Sequence, residues 1–305
     1  PLAACVKKPG GSENSSGTSS SESTAVTPAK DKDTSMVATD KSRKGPAVQD
    51  LMKGITKGKG VSKKPDSRFE NAAASFALDL FRDEYKSGRK TLVSPLSVFT
   101  ALAMTQNGAE DRTLSEMQKT LGGLDRDVLN AYMNAYLAEL TGKDSALKCA
   151  NSLWIDSRLD VKTSFLQKNA DFYSAQAYKA DFTRKNTVNE INSWVNKNTN
   201  GMIKKLVDEF DPLTVMVLMN ALCLEAEWDD PYTDNCVREG TFKNAKGNLV
   251  KAEYMYSQET EYIETENATG FVKYYKGGKF AFVALLPNED SNKVFYIAFR
   301  TPPTD

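Results

Sequence analysis

The sequence predicts an α+β fold behind a flexible leader, and three observations carry that expectation. Apolar residues at helical spacing, several runs of them closed by glycine, crowd the positions from about 69 to 198. From Gly240 onward the texture changes to short alternating runs bounded by turn residues, as strands require. Residues 1–67 contain no aromatic side chain, the first being Phe69. This leader carries 12 Lys/Arg against 7 Asp/Glu, a net of +5 that the other 238 residues balance to zero. Rich in Ser, Thr, Lys and Gly, it buries too little apolar surface to offset the entropy of ordering it. Residues 1–67 are therefore read as a disordered tether, and the rest as one body large enough for a sizeable core.

Taken in order, Phe69, Ala73, Phe76, Ala77 and Leu80 form one apolar stripe of a first helix. Thr91-Leu92-Val93 leads into Ser94-Pro95, a serine suited to cap a helix and a proline suited to its first turn. That helix is expected to end at Gln106-Asn107 with Gly108 in the left-handed cap position. Thr113-Leu114-Ser115-Glu116 reads as a capping box with Gly122-Gly123 as the stop. A further helix covers about Asp127–Leu140, a strand follows at Ala150–Ile155, and another helix lies near Thr163–Tyr173. Thr187-Val188-Asn189-Glu190 is a second capping box, for a helix ended by Asn200-Gly201. The apolar run Thr214–Glu225 reads as a strand buried on both faces, and Lys276–Lys279 as a hairpin turn before Phe280–Leu286.

Composition excludes several classes. The chain has no histidine, so no Ser-His or Cys-His nucleophile pair exists, and an enzyme is not expected. Cys5, Cys149, Cys223 and Cys236 show no metal-ligand spacing, and neither a metal nor a cofactor is called for. Zero net charge gives nucleic acid no support as a partner, and the leader's lysines read as a solvated linker. No apolar run reaches the length of a membrane helix. Leu2-Ala3-Ala4-Cys5 resembles the end of a bacterial lipoprotein signal, with Cys5 as the lipidation candidate, or else matches it by chance. Under the first alternative the protein is an extracellular or cell-surface lipoprotein, membrane-anchored through Cys5.

Five blocks together resemble a known family. Ser94-Pro95-Leu96-Ser97 followed by Asn107-Gly108-Ala109 is similar to the early signature of the serpins, and Ala150-Asn151-Ser152-Leu153-Trp154 to a strand of their central sheet. Ile191-Asn192-Ser193-Trp194-Val195 with Thr199-Asn200-Gly201-Met202-Ile203 resembles the helix over that sheet and its exit. Asn220-Ala221-Leu222 through Trp228 and Pro231-Tyr232 resembles the family's Asn…Trp-x-x-Pro-aromatic strand, and Phe280–Pro287 the strand ending in Leu-Pro. The resemblance implies a serpin fold of bacterial type over residues 68–290, with helices packed on a large central sheet. It implies a polar cluster at Ser94, Ser97 and Asn220 where the sheet opens, and a top-of-sheet insertion region at Trp228. The residues alone leave other roles open: Ser94 as a helix cap, Asn220 as a strand end, Trp228 as a core indole.

The family implies a suicide-substrate inhibitor of a serine or cysteine protease, with a cleaved reactive loop entering the sheet as an added strand. After Asp290 the tail 291–305 does not match the family's ending, and the reactive loop and its bond are expected to be absent from this chain. The edge beside Phe280–Leu286 is then expected to lack a partner strand. The alternative is a truncated, non-inhibitory serpin fragment or an interaction module.

Overall fold

The computed structural model describes residues 3–6, 46–86, 91–211, 213–244, 246–288 and 297–300, the first and last of these by backbone alone. Two compact units divide the chain: residues 1–77 with 94–223, and residues 78–93 with 224–305.

In the first unit the elements are β1 (Ala3–Val6), β2 (Val48–Asp50), α1 (Ser67–Glu84, which runs on into the second unit's residues), α2 (Pro95–Thr105), α3 (Asp111–Thr120), α4 (Arg126–Leu140), β3 (Leu147–Asp156), α5 (Thr163–Tyr173), β4 (Gln176–Ala180), α6 (Lys185–Asn198) and β5 (Met216–Leu224). Five strands make one sheet in the order β1-β5-β3-β4-β2. β3 and β4 are parallel and joined by α5, with Ser152 opposite Gln176 and Asp156 opposite Ala180. Period-two alternation along β3 sends neighbouring side chains to opposite faces. Trp154 packs with Ile191, Trp194 and Val195 of α6, whereas Leu153 and Ile155 pack with Phe165 and Leu166 of α5. Helices thus cover both faces of β3, which explains a run buried from Asn151 to Asp156.

Several expectations are corrected in detail. Gly108 closes a 3-10 turn, Gln106–Gly108, and is not left-handed. Its distinction is a close approach, since a Cβ there would meet the Phe165 ring at 3.1 Å. Neither capping box sits at a helix start. α3 begins at Asp111, two residues ahead of Thr113, and α6 begins at Lys185. The Thr187 hydroxyl donates to the carbonyls of Asp181 and Ala47 instead of capping. Gly122 does supply the expected stop, with φ 86°, and a Cβ on it would run into Ala72.

The leader shows the largest difference. Residues 7–45 lie outside the described residues, but 46–66 are a docked strap. β2 pairs antiparallel with β4, Val48 opposite Ala180 and Asp50 opposite Tyr178. Leu51, Met52 and Ile55 pack against the Leu153–Phe165 cluster. Further along, the Gly58 N–H donates to Asp171 Oδ1 (2.6 Å), the Lys63 N–H to the Ala131 carbonyl, and Asn134 to the Gly60 carbonyl. At the strap's end the Asp66 carboxylate accepts from Arg68 and from Tyr132 OH (2.5 Å), and these hydrogen bonds hold it far below the usual carboxylate range. A segment without aromatics is ordered here because the body supplies the apolar surface and the backbone partners.

The second unit holds β6 (Val237–Lys243), β7 (Leu249–Met255), β8 (Glu261–Glu264), β9 (Ala268–Tyr274), β10 (Ala281–Pro287) and β11 (Ile297–Arg300). β6 and β7 form an antiparallel ribbon, and the others a sheet in the order β11-β10-β9-β8. Gly277 and Gly278, at φ 83° and 69°, make the expected hairpin turn between β9 and β10. The edge of β10 is not bare. β11, from the tail expected to match nothing, pairs with it from Ala281–Arg300 to Ala284–Ile297.

Candidate functional site

The expected polar residues stand at α2 and on β5, and the one on β5 finds its partners on β3. Ser94 precedes α2 with φ −115° and ψ 89°, Pro95 takes the first helical position, and no side chain caps the helix. The Ser94 hydroxyl donates instead to Ser97 Oγ at 2.8 Å, one turn on, and Ser97 is fully buried. Asn220 sits mid-strand in β5, also buried. Its Nδ2 donates to Asn151 Oδ1 at 2.7 Å and to Cys149 Sγ at 3.3 Å, both on β3. Asn151 passes the connection on, its Nδ2 donating to the Tyr173 carbonyl at 2.8 Å. The Asn220 Oδ1 is buried with no donor among the described residues.

The expected trio is therefore two hydrogen-bonded pairings. Among the described residues no hydrogen bond joins the serines to Asn220. Asn220's partners are Asn151 and Cys149, which the sequence reading did not place in the site. One signal for them was present: positions 149, 151 and 153 share one face of a strand, and polar residues at two of them need buried partners. Burial pushes the Cys149 thiol up to about 11, so it is a neutral, weak hydrogen-bonding group at neutral pH and not a nucleophile. Hydroxyls, amides and a thiol make a cluster that holds strands together by exchangeable hydrogen bonds and not by charge.

Trp228 lies in the second unit, half-buried, just past β5. Its indole stacks on Tyr275 (centroids 4.3 Å apart, planes 10°) and meets Phe282 edge-on. Tyr232 closes a third side at 6.5 Å. Beneath it Lys273, 3% exposed, pairs with Glu259 at 2.7 Å and points its ammonium at Tyr232 (4.6 Å) and Trp228 (5.7 Å). Backbone bonds from Asp229 to Tyr274 and from Lys276 to Glu227 pin the turn. Trp228 is thus a half-buried aromatic plate with a charged clamp, richer than a plain core indole. Cys5 falls in β1, where the backbone alone is described.

Helices packed on a central sheet, with a buried amide joining two of its strands, define an α+β fold of the serpin kind. Residues 71–298 match the family model "Serpin (serine protease inhibitor)". The chain belongs to the serpin family. The match runs past Asp290 into the stretch expected not to fit. A serpin-like protein of Thermococcus kodakarensis is 29% identical over 225 residues, 72% of this chain and 53% of that protein. Serpin-ZX of Arabidopsis thaliana is 29% identical over 220 residues, 69% of this chain and 54% of the plant protein. Among solved structures, the native state of the thermophilic serpin tengpin aligns with TM-score 0.76 at 40% identity, covering 81% of this chain and 64% of tengpin. A loop C-sheet serpin polymer aligns with TM-score 0.72 at 38% identity, over 81% of this chain and 69% of that one. The chain spans little more than half the length of the curated relatives it matches.

Proposed function

We propose that the protein carrying this chain inhibits a serine or cysteine endopeptidase as a suicide substrate. The protease cleaves an exposed reactive loop, which then enters the large sheet as an added strand. The protease supplies the nucleophile, and this protein supplies the trap. Asn220 supports the reading most: a buried amide in the middle of β5, hydrogen-bonded across to Asn151 of β3. In this reading Ser94 and Ser97 complete the place where the sheet parts, and Trp228 marks the end where insertion begins. The sequence of the reactive loop would set the choice of protease.

The test is the DNA beyond the codon for Asp290, read in all three frames, followed by assay of the longest product with trypsin-like and subtilisin-like proteases. A small-residue hinge with a Phe-rich strand pair, and an SDS-stable covalent complex, are expected. A stop with no such sequence in any frame overturns the reading and leaves a non-inhibitory fragment. The proposal also puts the protein at the cell surface, tethered by a lipid on Cys5. Mass spectrometry of the mature N-terminus should find a lipidated cysteine there, whereas an unmodified chain retaining Ala3 and Ala4 overturns the anchor.

A further inference from the structure

One connected line of hydrogen bonds leaves the cluster and runs into the helical layer. Each member donates to the next. Asn220 Nδ2 donates to Asn151 Oδ1 (2.7 Å), and Asn151 Nδ2 to the Tyr173 carbonyl (2.8 Å). The Tyr173 hydroxyl donates to Asn130 Oδ1 (2.6 Å), and Asn130 Nδ2 to Asn107 Oδ1 (2.8 Å). Asn107 Nδ2 donates to Asn169 Oδ1 (3.2 Å), whose own Nδ2 ends the line on the Phe165 carbonyl (3.0 Å). All six side chains are buried. Tyr173 joins the two halves with its two ends, the backbone carbonyl facing β3 and the hydroxyl facing α4. Within each half, hydrogen bonds that point the same way from amide to amide polarise and strengthen one another in a low-dielectric interior; Tyr173 couples the halves mechanically, through its own rigid side chain.

We propose that Asn107, Asn130, Asn169 and Tyr173 are positioning residues that tie the helices to Asn151 and Asn220 and so hold β3 and β5 closed around Cys149. The argument rests on the energetics of half-broken networks. If β3 moves away from α5, the Asn151 amide and the Tyr173 carbonyl lose each other, and a buried polar group left unpaired is costly. Asn151 is thereby held in place from the helical side, so the amide that Asn220 must meet stays where β5 can reach it. Amides that merely fill space in the helical layer would carry no such coupling. The line bears no charge, so the hold is set by hydrogen-bond geometry and not by salt.

This inference rests on the reading of Asn220 given above, but its test needs no protease, so the two fail separately. Cys149 is half-buried and accepts from Asn220, so its labelling above the rate of the unsubstituted chain reports opening. Native-state labelling of the full chain with a thiol reagent, read by peptide mass spectrometry, gives the rate at Cys149. Asn130→Leu should raise that rate about tenfold without denaturant, with little dependence on low denaturant. Leu140→Ala, a buried α4 substitution off the line, should raise it only as far as global unfolding allows. Tyr173→Phe, which removes one hydroxyl and little else, should raise it about threefold and keeps the test open if Asn130→Leu does not fold. Labelling in Asn130→Leu or Tyr173→Phe that is no faster than in Leu140→Ala at equal unfolding free energy overturns the proposal.

Discussion

The two units bury their side chains in different ways. In the first, β3 has α6 on one face and α5 on the other, and even the lysine-rich strap is recruited to close the cover over Leu153 and Ile155. In the second, the β6–β7 ribbon shows Phe242, Leu249 and Met255 to solvent, and order is concentrated around one aromatic box with an ion pair beneath it. The first unit is held by area, by neutral hydrogen bonds between β3 and β5, and by ion pairs of the buried Asp156 and Asp181 with Arg158 and Arg184; the second depends on a few polar and aromatic contacts. Between β3 and β5 the side-chain contacts are amide and thiol, which exchange partners more readily than a buried charge does.

Substitutions can break or sharpen that contrast. The largest effect is expected at Trp154→Ala, which empties the face beneath α6 and should cost about 3–5 kcal/mol in denaturant unfolding of the first unit. Lys273→Met should come next, at about 3 kcal/mol in the second unit, because Glu259 is left beside the box without its cation. The double variant Lys273→Met with Glu259→Leu should recover most of the loss. If it does not, the box rests on packing and the two units are alike. Leu51→Ser with Ile55→Ser, which strips the strap of its apolar anchors, should cost about 2 kcal/mol and make residues 46–66 sensitive to protease. Acid is expected to act through Asp66. Its carboxyl is depressed in the folded chain, so the stability it gives is present above the ordinary carboxylate pKa of about 4 and is lost as pH falls below it. Asp66→Asn should flatten that acid limb in a pH titration of thermal unfolding. Phe242→Ser should move stability by no more than about 0.5 kcal/mol, and a larger loss would mean that the ribbon is not the bare surface described.

Much of the α+β order was legible in the sequence, and the reasons are local. α5 is legible at Thr163–Tyr173, where Phe165, Leu166, Ala170 and Tyr173 repeat at helical spacing and all turn inward. The β9–β10 hairpin was legible because Gly277 and Gly278 can hold positive φ. Signals that depend on tertiary partners misled. Thr187 has the sequence of a cap, but its hydroxyl finds two carbonyls, one of them Ala47, 140 positions away. The strap misled for the opposite reason, since average composition cannot register three apolar residues that happen to meet a waiting groove. In the candidate site, Ser94, Ser97 and Asn220 were found through resemblance, whereas Asn151 and Cys149 required the register of β3 against β5. Nothing in a single sequence reveals that Asn107, Asn130 and Asn169 meet, because helices and a 3-10 turn far apart in the chain bring them together.

The pairing of β2 with β4 also has a consequence in time. Asp50 lies opposite Tyr178, 128 positions later in the chain. At a synthesis rate of roughly 5–20 residues per second, the strap leaves the ribosome about ten seconds before its partner strand exists. A segment with few apolar residues and a surplus of lysines is well suited to that wait, because it neither collapses on itself nor offers a sticky edge to neighbouring chains. The same poverty of composition that reads as a tether lets the strap stay soluble until the β3–α5–β4 unit has formed and can receive it.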